Sequence, residues 1–179
     1  MRVVAGRLGG RKLQSPNSSV TRPTSDRVRE SLFSTLGPID GSAVLDLFAG
    51  SGALAIEALS RGAARAVLVE RDRGAATVIA ANLAALGLSE PQARLIRGSA
   101  QKALEQAAAA SETYDLLFLD PPYRHAAMLG GDAAKLIEAI LAPDARVVTE
   151  SDRRQPLELE LPMIDERRYG DTLIRIHQR

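Results

Sequence analysis

Asp120-Pro121-Pro122-Tyr123 follows directly on the run Asp115 to Leu119, and the contrast between the two stretches implies chemistry. Leu116, Leu117, Phe118 and Leu119 suit a buried strand. Two successive prolines forbid its continuation, because proline holds φ near about −65° and has no N–H to give to a sheet. The residue before each proline is also pushed to extended geometry. A stiff loop at a strand's carboxyl end results, presenting a carboxylate, oriented carbonyl oxygens and an aromatic face. Acceptors that catch an amino group, beside a ring that stacks on a base, suit the exocyclic amine of a nucleobase. The same four residues would also serve as a plain turn with a solvated carboxylate.

A second motif weighs on that choice. Val44-Leu45-Asp46-Leu47-Phe48-Ala49-Gly50-Ser51-Gly52 is a short apolar strand running into a glycine turn, and Ala53 to Ser60 then reads as a helix. Gly50 and Gly52 remove side chains where a ligand must approach the backbone, and the start of the helix offers free N–H groups. The spacing Gly50-x-Gly52-x-x-Ala55, with Glu70 further on, also fits a dinucleotide fingerprint, so a nicotinamide-dependent oxidoreductase is an alternative. Against it stands Asp46, whose carboxylate would oppose a pyrophosphate and suits an amino-acid ammonium. A hydride-transfer enzyme also has no evident use for Asp120 to Tyr123.

Taken together, the two motifs resemble the S-adenosylmethionine-dependent methyltransferases that modify exocyclic amines of nucleic-acid bases. Arg22-Pro23-Thr24-Ser25-Asp26-Arg27-Val28-Arg29-Glu30-Ser31-Leu32-Phe33 ahead of the glycine motif narrows the likeness. So do the opening Val3, Ala5, Gly6, Arg7 and Gly9 to Leu13, and the closing Tyr169-Gly170-Asp171-Thr172. The whole is similar to the RsmD family, bacterial enzymes that methylate N2 of a guanine in small-subunit ribosomal RNA. The resemblance implies that Asp46, Phe48, Ala49, Gly50, Ser51 and Gly52 hold the methionine part of S-adenosylmethionine. It implies Glu70, with its neighbour Arg71, for the ribose, and Asp120, Pro121, Pro122 and Tyr123 for the base and its amine. Many relatives carry an acid after the third strand for the cofactor's adenine. Here Ser99, followed by Ala100, holds that place, and Ser99 could equally be the N-cap of the next helix.

Composition limits the rest. One domain's worth of chain, 179 residues, contains no cysteine and two histidines, His125 and His177. That excludes a disulfide scaffold and Cys-bound zinc, and the thiolate route needed to methylate carbon 5 of a pyrimidine. No metal is expected. No apolar run approaches the ~20 residues of a membrane span, and the opening is too basic and glycine-broken for a signal peptide. A soluble, cytoplasmic monomer is the expectation.

Charge is unevenly spread. Residues 1–24 carry Arg2, Arg7, Arg11, Lys12 and Arg22 and no acid, against a net charge of +1 for the chain. Such a block favours a polyanion through phosphate contacts. Arg7, Arg11, Lys12, Arg22 and Arg27 are the candidate RNA-binding residues, and the expected partner is small-subunit ribosomal RNA, within an assembling subunit. The six aromatics are too few for a sheet that stacks several bases. A DNA adenine-N6 or cytosine-N4 amino methyltransferase needs the same acceptors and is a further alternative, although a sequence-reading DNA enzyme usually carries a separate recognition domain and no segment here is free for one. An RNA-binding assembly factor without catalysis is another.

The elements alternate. Val3-Val4 and Lys12-Leu13 around the Gly6 to Gly10 turn suggest a small hairpin, so residues 1–24 read as a basic appendage to a domain of 25–179. Ser25 caps a helix from Asp26 to Leu36 with an apolar stripe of Val28, Leu32, Phe33 and Leu36, and Arg27 and Arg29 project elsewhere. Strands at Val44–Leu47, Ala66–Glu70, Ala93–Arg97, Tyr114–Leu119 and Arg146–Glu150 alternate with helices at Ala53–Arg61, Arg73–Leu86, Ser99–Ala110 and around Asp132–Leu141. Met163–Arg168 and Leu173–His177 read as an antiparallel hairpin. The expected fold is α/β and Rossmann-like: a mostly parallel seven-stranded sheet with helices on both faces.

Overall fold

The computed structural model describes residues 1–16, 25–121 and 131–179. Arg22, Pro122 and Tyr123 lie outside the described residues.

Helix α1 (Asp26–Leu36) begins where expected: Ser25 accepts a hydrogen bond from Val28 N–H at 3.3 Å, and Gly37, at φ 67°, ends the helix. The sheet strands are β1 (Ala43–Asp46), β2 (Arg65–Glu70), β3 (Ala93–Arg97), β4 (Tyr114–Leu119), β5 (Leu141–Asp152), β6 (Met163–Tyr169) and β7 (Thr172–Gln178). Between them run α2 (Ala53–Ser60), α3 (Arg73–Ala85), α4 (Ala100–Ala109) and α5 (Asp132–Ile140). The sheet order is β3-β2-β1-β4-β5-β7-β6, parallel as far as β5 and antiparallel for the closing hairpin at the edge.

Strands buried on both faces read as continuous apolar runs, and their alternation divides the core in two. Val44, Leu68, Leu116, Phe118 and Val148 join Phe33 of α1, Ile56 of α2 and Ile79 of α3 on one face. Leu45, Val67, Leu117 and Val147 pack on the other with Leu104 of α4 and Ile137 of α5. Because β1 pairs with both β2 and β4, the strand order reverses beside it. A crevice at the carboxyl ends of these strands is where ligands of such sheets bind.

Strand β5 is longer than the five residues expected. It starts at Leu141, directly after α5, with a register shift between Tyr114 and Leu116 of the partner strand. Pro143 and the positive φ of 60° at Asp144 hide that continuation from periodicity.

The amino-terminal segment forms the expected small hairpin, with one antiparallel bridge between Arg2 and Lys12 and a bond from Val3 N–H to the Arg11 carbonyl at 2.9 Å. It is docked on the domain: Val3, Leu8 and Leu13 are buried in the core. Glu57 of α2, itself fully buried, accepts Val4 N–H at 2.7 Å and Ala5 N–H at 3.0 Å. Gly6 is required at its contact, since a Cβ there would stand 1.9 Å from the Ser60 carbonyl oxygen.

Arg29 corrects an expectation. It is fully buried, its guanidinium donating to the Arg2 carbonyl and to Asp26. The cause is helical spacing: Arg29 stands three and four residues before Leu32 and Phe33, so it lies on the apolar stripe and is available only to groups inside.

Candidate active site

Register brings the candidate residues together. Leu68, Asp46, Phe118 and Val148 stand in one row across β2, β1, β4 and β5. Two residues further along come Glu70, Glu150 and, just past the end of β4, Asp120. The two-residue period of a strand turns Glu70 and Glu150 to the face that carries Asp46, and the charges of Glu150 and Asp46 act on Asp120. Four carboxylates therefore share one end of the sheet. Asp46, Glu70 and Asp120 were expected there; Glu150 was not, since only the pairing of β5 with β4 reveals its parity.

Asp46 is 2% exposed. Its carboxyl accepts N–H groups of Phe48 and of Ala55, in the first turn of α2. Burial pushes it up to about 7, with Glu70 adding to the rise and those two N–H groups opposing it. Asp120 still reaches water, yet protein crowds its carboxyl from most directions. That crowding, ahead of the charges of Glu150 and Asp46, holds it well above the usual carboxylate range. Pro121, next in the loop, is buried.

The glycine loop links the strand ends. Ala49 N–H bonds the Val69 carbonyl at 3.0 Å, and Gly52 N–H bonds the Ala49 carbonyl at 2.6 Å. Glu70 accepts Gly50 N–H at 2.8 Å through one oxygen and Asp72 N–H at 2.7 Å through the other. The two glycines differ in what they permit. A Cβ on Gly52, at φ 80°, would meet Leu68 Cδ2 at 3.0 Å and Ile56 Cδ1 at 3.3 Å, so this residue allows helix and sheet to pack. A Cβ on Gly50 would meet nothing within 4 Å, so its bare backbone faces the open crevice.

Of the other candidates, Phe48 and Ser51 are half-buried, Ala49 is buried, and Arg71 is exposed one residue beyond Glu70. Ser99 is the N-cap of α4, accepting Lys102 N–H at 3.3 Å, and Ala100 opens the helix. Arg7, Arg11, Lys12 and Arg27 are all exposed. Two polar residues that spacing did not single out, Asn82 of α3 and Glu57 of α2, are buried and tie the amino-terminal segment to this region. Asn82 could have been found, because it falls on the stripe of Ala75, Ala76, Ile79 and Leu83. Glu57 could not: α2 is buried over nearly its whole circumference.

The arrangement suits a cationic ligand, because a positive charge among crowded carboxylates relieves both their burial and their mutual repulsion.

Comparison with known proteins agrees. The family described as Conserved hypothetical protein 95 matches residues 1–178. The putative rRNA methyltransferase YlbH of Bacillus subtilis is 39% identical over all of this chain and 99% of its own length. Ribosomal RNA small subunit methyltransferase D of Escherichia coli is 38% identical, over all of this chain and 90% of its own. The solved structure of the putative methyltransferase yhhF from Escherichia coli superposes with a TM-score of 0.83 at 37% identity, covering 100% of this chain and 97% of that one. The fold is that of Rossmann-like S-adenosylmethionine-dependent methyltransferases, and the chain belongs to the Conserved hypothetical protein 95 family, the RsmD family.

Proposed function

We infer that this protein methylates ribosomal RNA with S-adenosylmethionine as cofactor, and we propose N2 of a guanine in the small-subunit RNA as the acceptor. The observation that carries the reading is the row of carboxylates beside the open backbone of Gly50. The cofactor bears an ammonium and a sulfonium, and supplies a methyl group already activated for transfer.

Asp46 and the loop from Phe48 to Gly52 hold its amino-acid end, with Asp46 opposite the ammonium. Glu70 takes the ribose hydroxyls through the lone pairs left beside its bonds to Gly50 and Asp72, flanked by Arg71. Ser99 and Ala100 border the adenine, the Ser99 hydroxyl keeping a hydrogen to donate while it caps α4.

A guanine N2 lone pair is delocalised into the ring and nucleophilically weak. Asp120 and the Pro121 carbonyl accept the amine's hydrogens, which draws that lone pair out of conjugation and aligns it. Orientation of this kind contributes ~7–11 kcal/mol in favourable cases. A carboxylate destabilised by its neighbours takes a proton readily, which fits Asp120 to receive the one the amine loses. Pro122 and Tyr123 complete the loop, Tyr123 as the ring that stacks on the base.

Arg7, Arg11, Lys12, Arg22 and Arg27 contact phosphates. The substrate is the RNA of an assembling small subunit, met in the bacterial cytoplasm by a monomer. Among the described residues no helix is long and apolar enough to cross a membrane, and no three His, Cys, Asp or Glu side chains are grouped to hold a metal.

Incubation with methyl-labelled cofactor and, separately, small subunits, naked small-subunit RNA and duplex DNA tests the reading. Label recovered as N2-methylguanosine from the RNA or subunits is expected. Label recovered only as N6-methyladenine or N4-methylcytosine in DNA would overturn it.

A further inference from the structure

Asn82 is a buried amide that the proposed chemistry does not use, and all of its bonds join two regions distant in sequence. It is 2% exposed on α3. Its Oδ1 accepts Gln14 N–H at 2.8 Å, and its Nδ2 donates to the Gln14 carbonyl at 3.0 Å. The second hydrogen on Nδ2 goes to the Ser51 carbonyl at 2.9 Å. One side chain thus clips the segment leaving the basic hairpin and, with the donor that remains, fixes the middle of the glycine loop. Met1 makes a parallel link, its sulfur accepting the Ser51 hydroxyl at 3.5 Å while Arg29 Nη1 donates to the same sulfur at 3.7 Å. Through Glu57 the hairpin is also held by α2, the helix that the glycine loop opens.

We propose that Asn82 is a positioning residue that couples RNA engagement by the amino-terminal hairpin to cofactor binding at the glycine loop. The inference rests on the methyltransferase reading above. The physical reason is that a buried amide with every group satisfied admits few alternative arrangements, since an unmade bond there carries the full desolvation cost. When RNA restrains the hairpin, Gln14 restrains Asn82, and Asn82 restrains the Ser51 carbonyl in the position the cofactor needs. Linkage makes the effect reciprocal: bound cofactor tightens RNA by the same factor.

The test is calorimetric titration of S-adenosylhomocysteine into the full chain, without and with saturating small-subunit RNA. For the unmodified protein the dissociation constant should fall about fivefold or more when RNA is present, the lower end of ordinary coupling. Asn82→Ala should bring that ratio close to one. Gln14→Pro is the second variant: Gln14 is exposed, and proline deletes the N–H that Asn82 accepts while Asn82 and its bond to Ser51 remain. It should lower the ratio in the same way, while affinity in the absence of RNA stays within about twofold. Equal constants with and without RNA in the unmodified protein, or an undiminished ratio in Gln14→Pro, would overturn the coupling. Failure of the unmodified protein to bind S-adenosylhomocysteine at all would instead remove the methyltransferase reading on which it rests.

Discussion

At the carboxyl ends of the parallel strands carboxylate faces carboxylate, whereas at their amino ends opposite charges satisfy one another. Arg94, near the start of β3, donates to both oxygens of Glu112 at 2.9 and 2.8 Å, and Tyr114, the first residue of β4, donates to the same carboxylate. The Arg65 guanidinium lies 4.9 Å from the centre of the Tyr114 ring. Burial alone would raise Glu112, but hydrogen bonds from Tyr114 and Arg94 hold it below the usual carboxylate range, and burial with Glu112 pushes Tyr114 up to about 12. A cavity of about 210 Å³ lies beside this trio, between α4 and the sheet. The contrast teaches where to look for function. Paired charges complete a structure, while like charges held together by a rigid sheet wait for a counter-charge from outside.

The largest expected effect belongs to the crowded end. Asp120→Ala should lower the single-turnover methylation rate of small subunits by about 10²-fold or more, as when a positioned proton acceptor is removed, with cofactor affinity nearly intact. A rate near that of the unmodified protein would reduce the loop to a turn. Glu70→Ala should weaken S-adenosylhomocysteine binding by about 1–3 kcal/mol if the carboxylate takes charge-assisted hydroxyl bonds, and calorimetry at constant pH measures it. Unchanged affinity would leave Glu70 as a brace for Gly50 and Asp72 only.

Stability against pH sharpens the comparison further. Asp46 titrates near 7 in the folded chain against 3.8 ordinarily. Between those values the folded state keeps a proton that the unfolded state releases, so this group's contribution is present at pH 4 and lost as pH rises through 7. Denaturation of the ligand-free protein from pH 5 to 8 should show stability falling, and Asp46→Asn should flatten the fall. A steeper slope in the variant would reverse the sign assigned to the crevice. At the paired end the effect is smallest. Glu112→Gln should reduce unfolding free energy by about 1 kcal/mol, discounted because Arg94 is partly exposed, and leave methylation per folded molecule unchanged.

Much of this site was legible in the sequence because the residues concerned interrupt their elements. Gly50 and Gly52 break an apolar run after Asp46, and Pro121 and Pro122 break another after Asp120, so strand ends and their carboxylates stood out without any structure. Where chemistry and periodicity agree the result is tight: α1, β3 and β4 have the boundaries expected. Glu150 was illegible because its face depends on pairing across β4, and the start of β5 was concealed by Pro143 and Asp144. Arg29 was misjudged and Asn82 passed over for a different reason. A polar side chain on a helix is read as solvated, but both lie on apolar stripes and are satisfied by the amino-terminal hairpin. Their partners in the amino-terminal segment, Arg2 and Gln14, are more than twenty residues away, and no local pattern announces a bond of that range.

Calorimetry of S-adenosylhomocysteine binding at pH 6.5, in two buffers of different ionisation enthalpy, tests the crowded crevice most directly. The ligand's ammonium should draw Asp46 into its ionised form, so binding should release protons. That release should shrink in Asp46→Asn, and NADH should not bind. Binding without proton release would contradict the account of a carboxylate crevice completed by a cation, and tight NADH binding with no S-adenosylhomocysteine binding would contradict the methyltransferase itself.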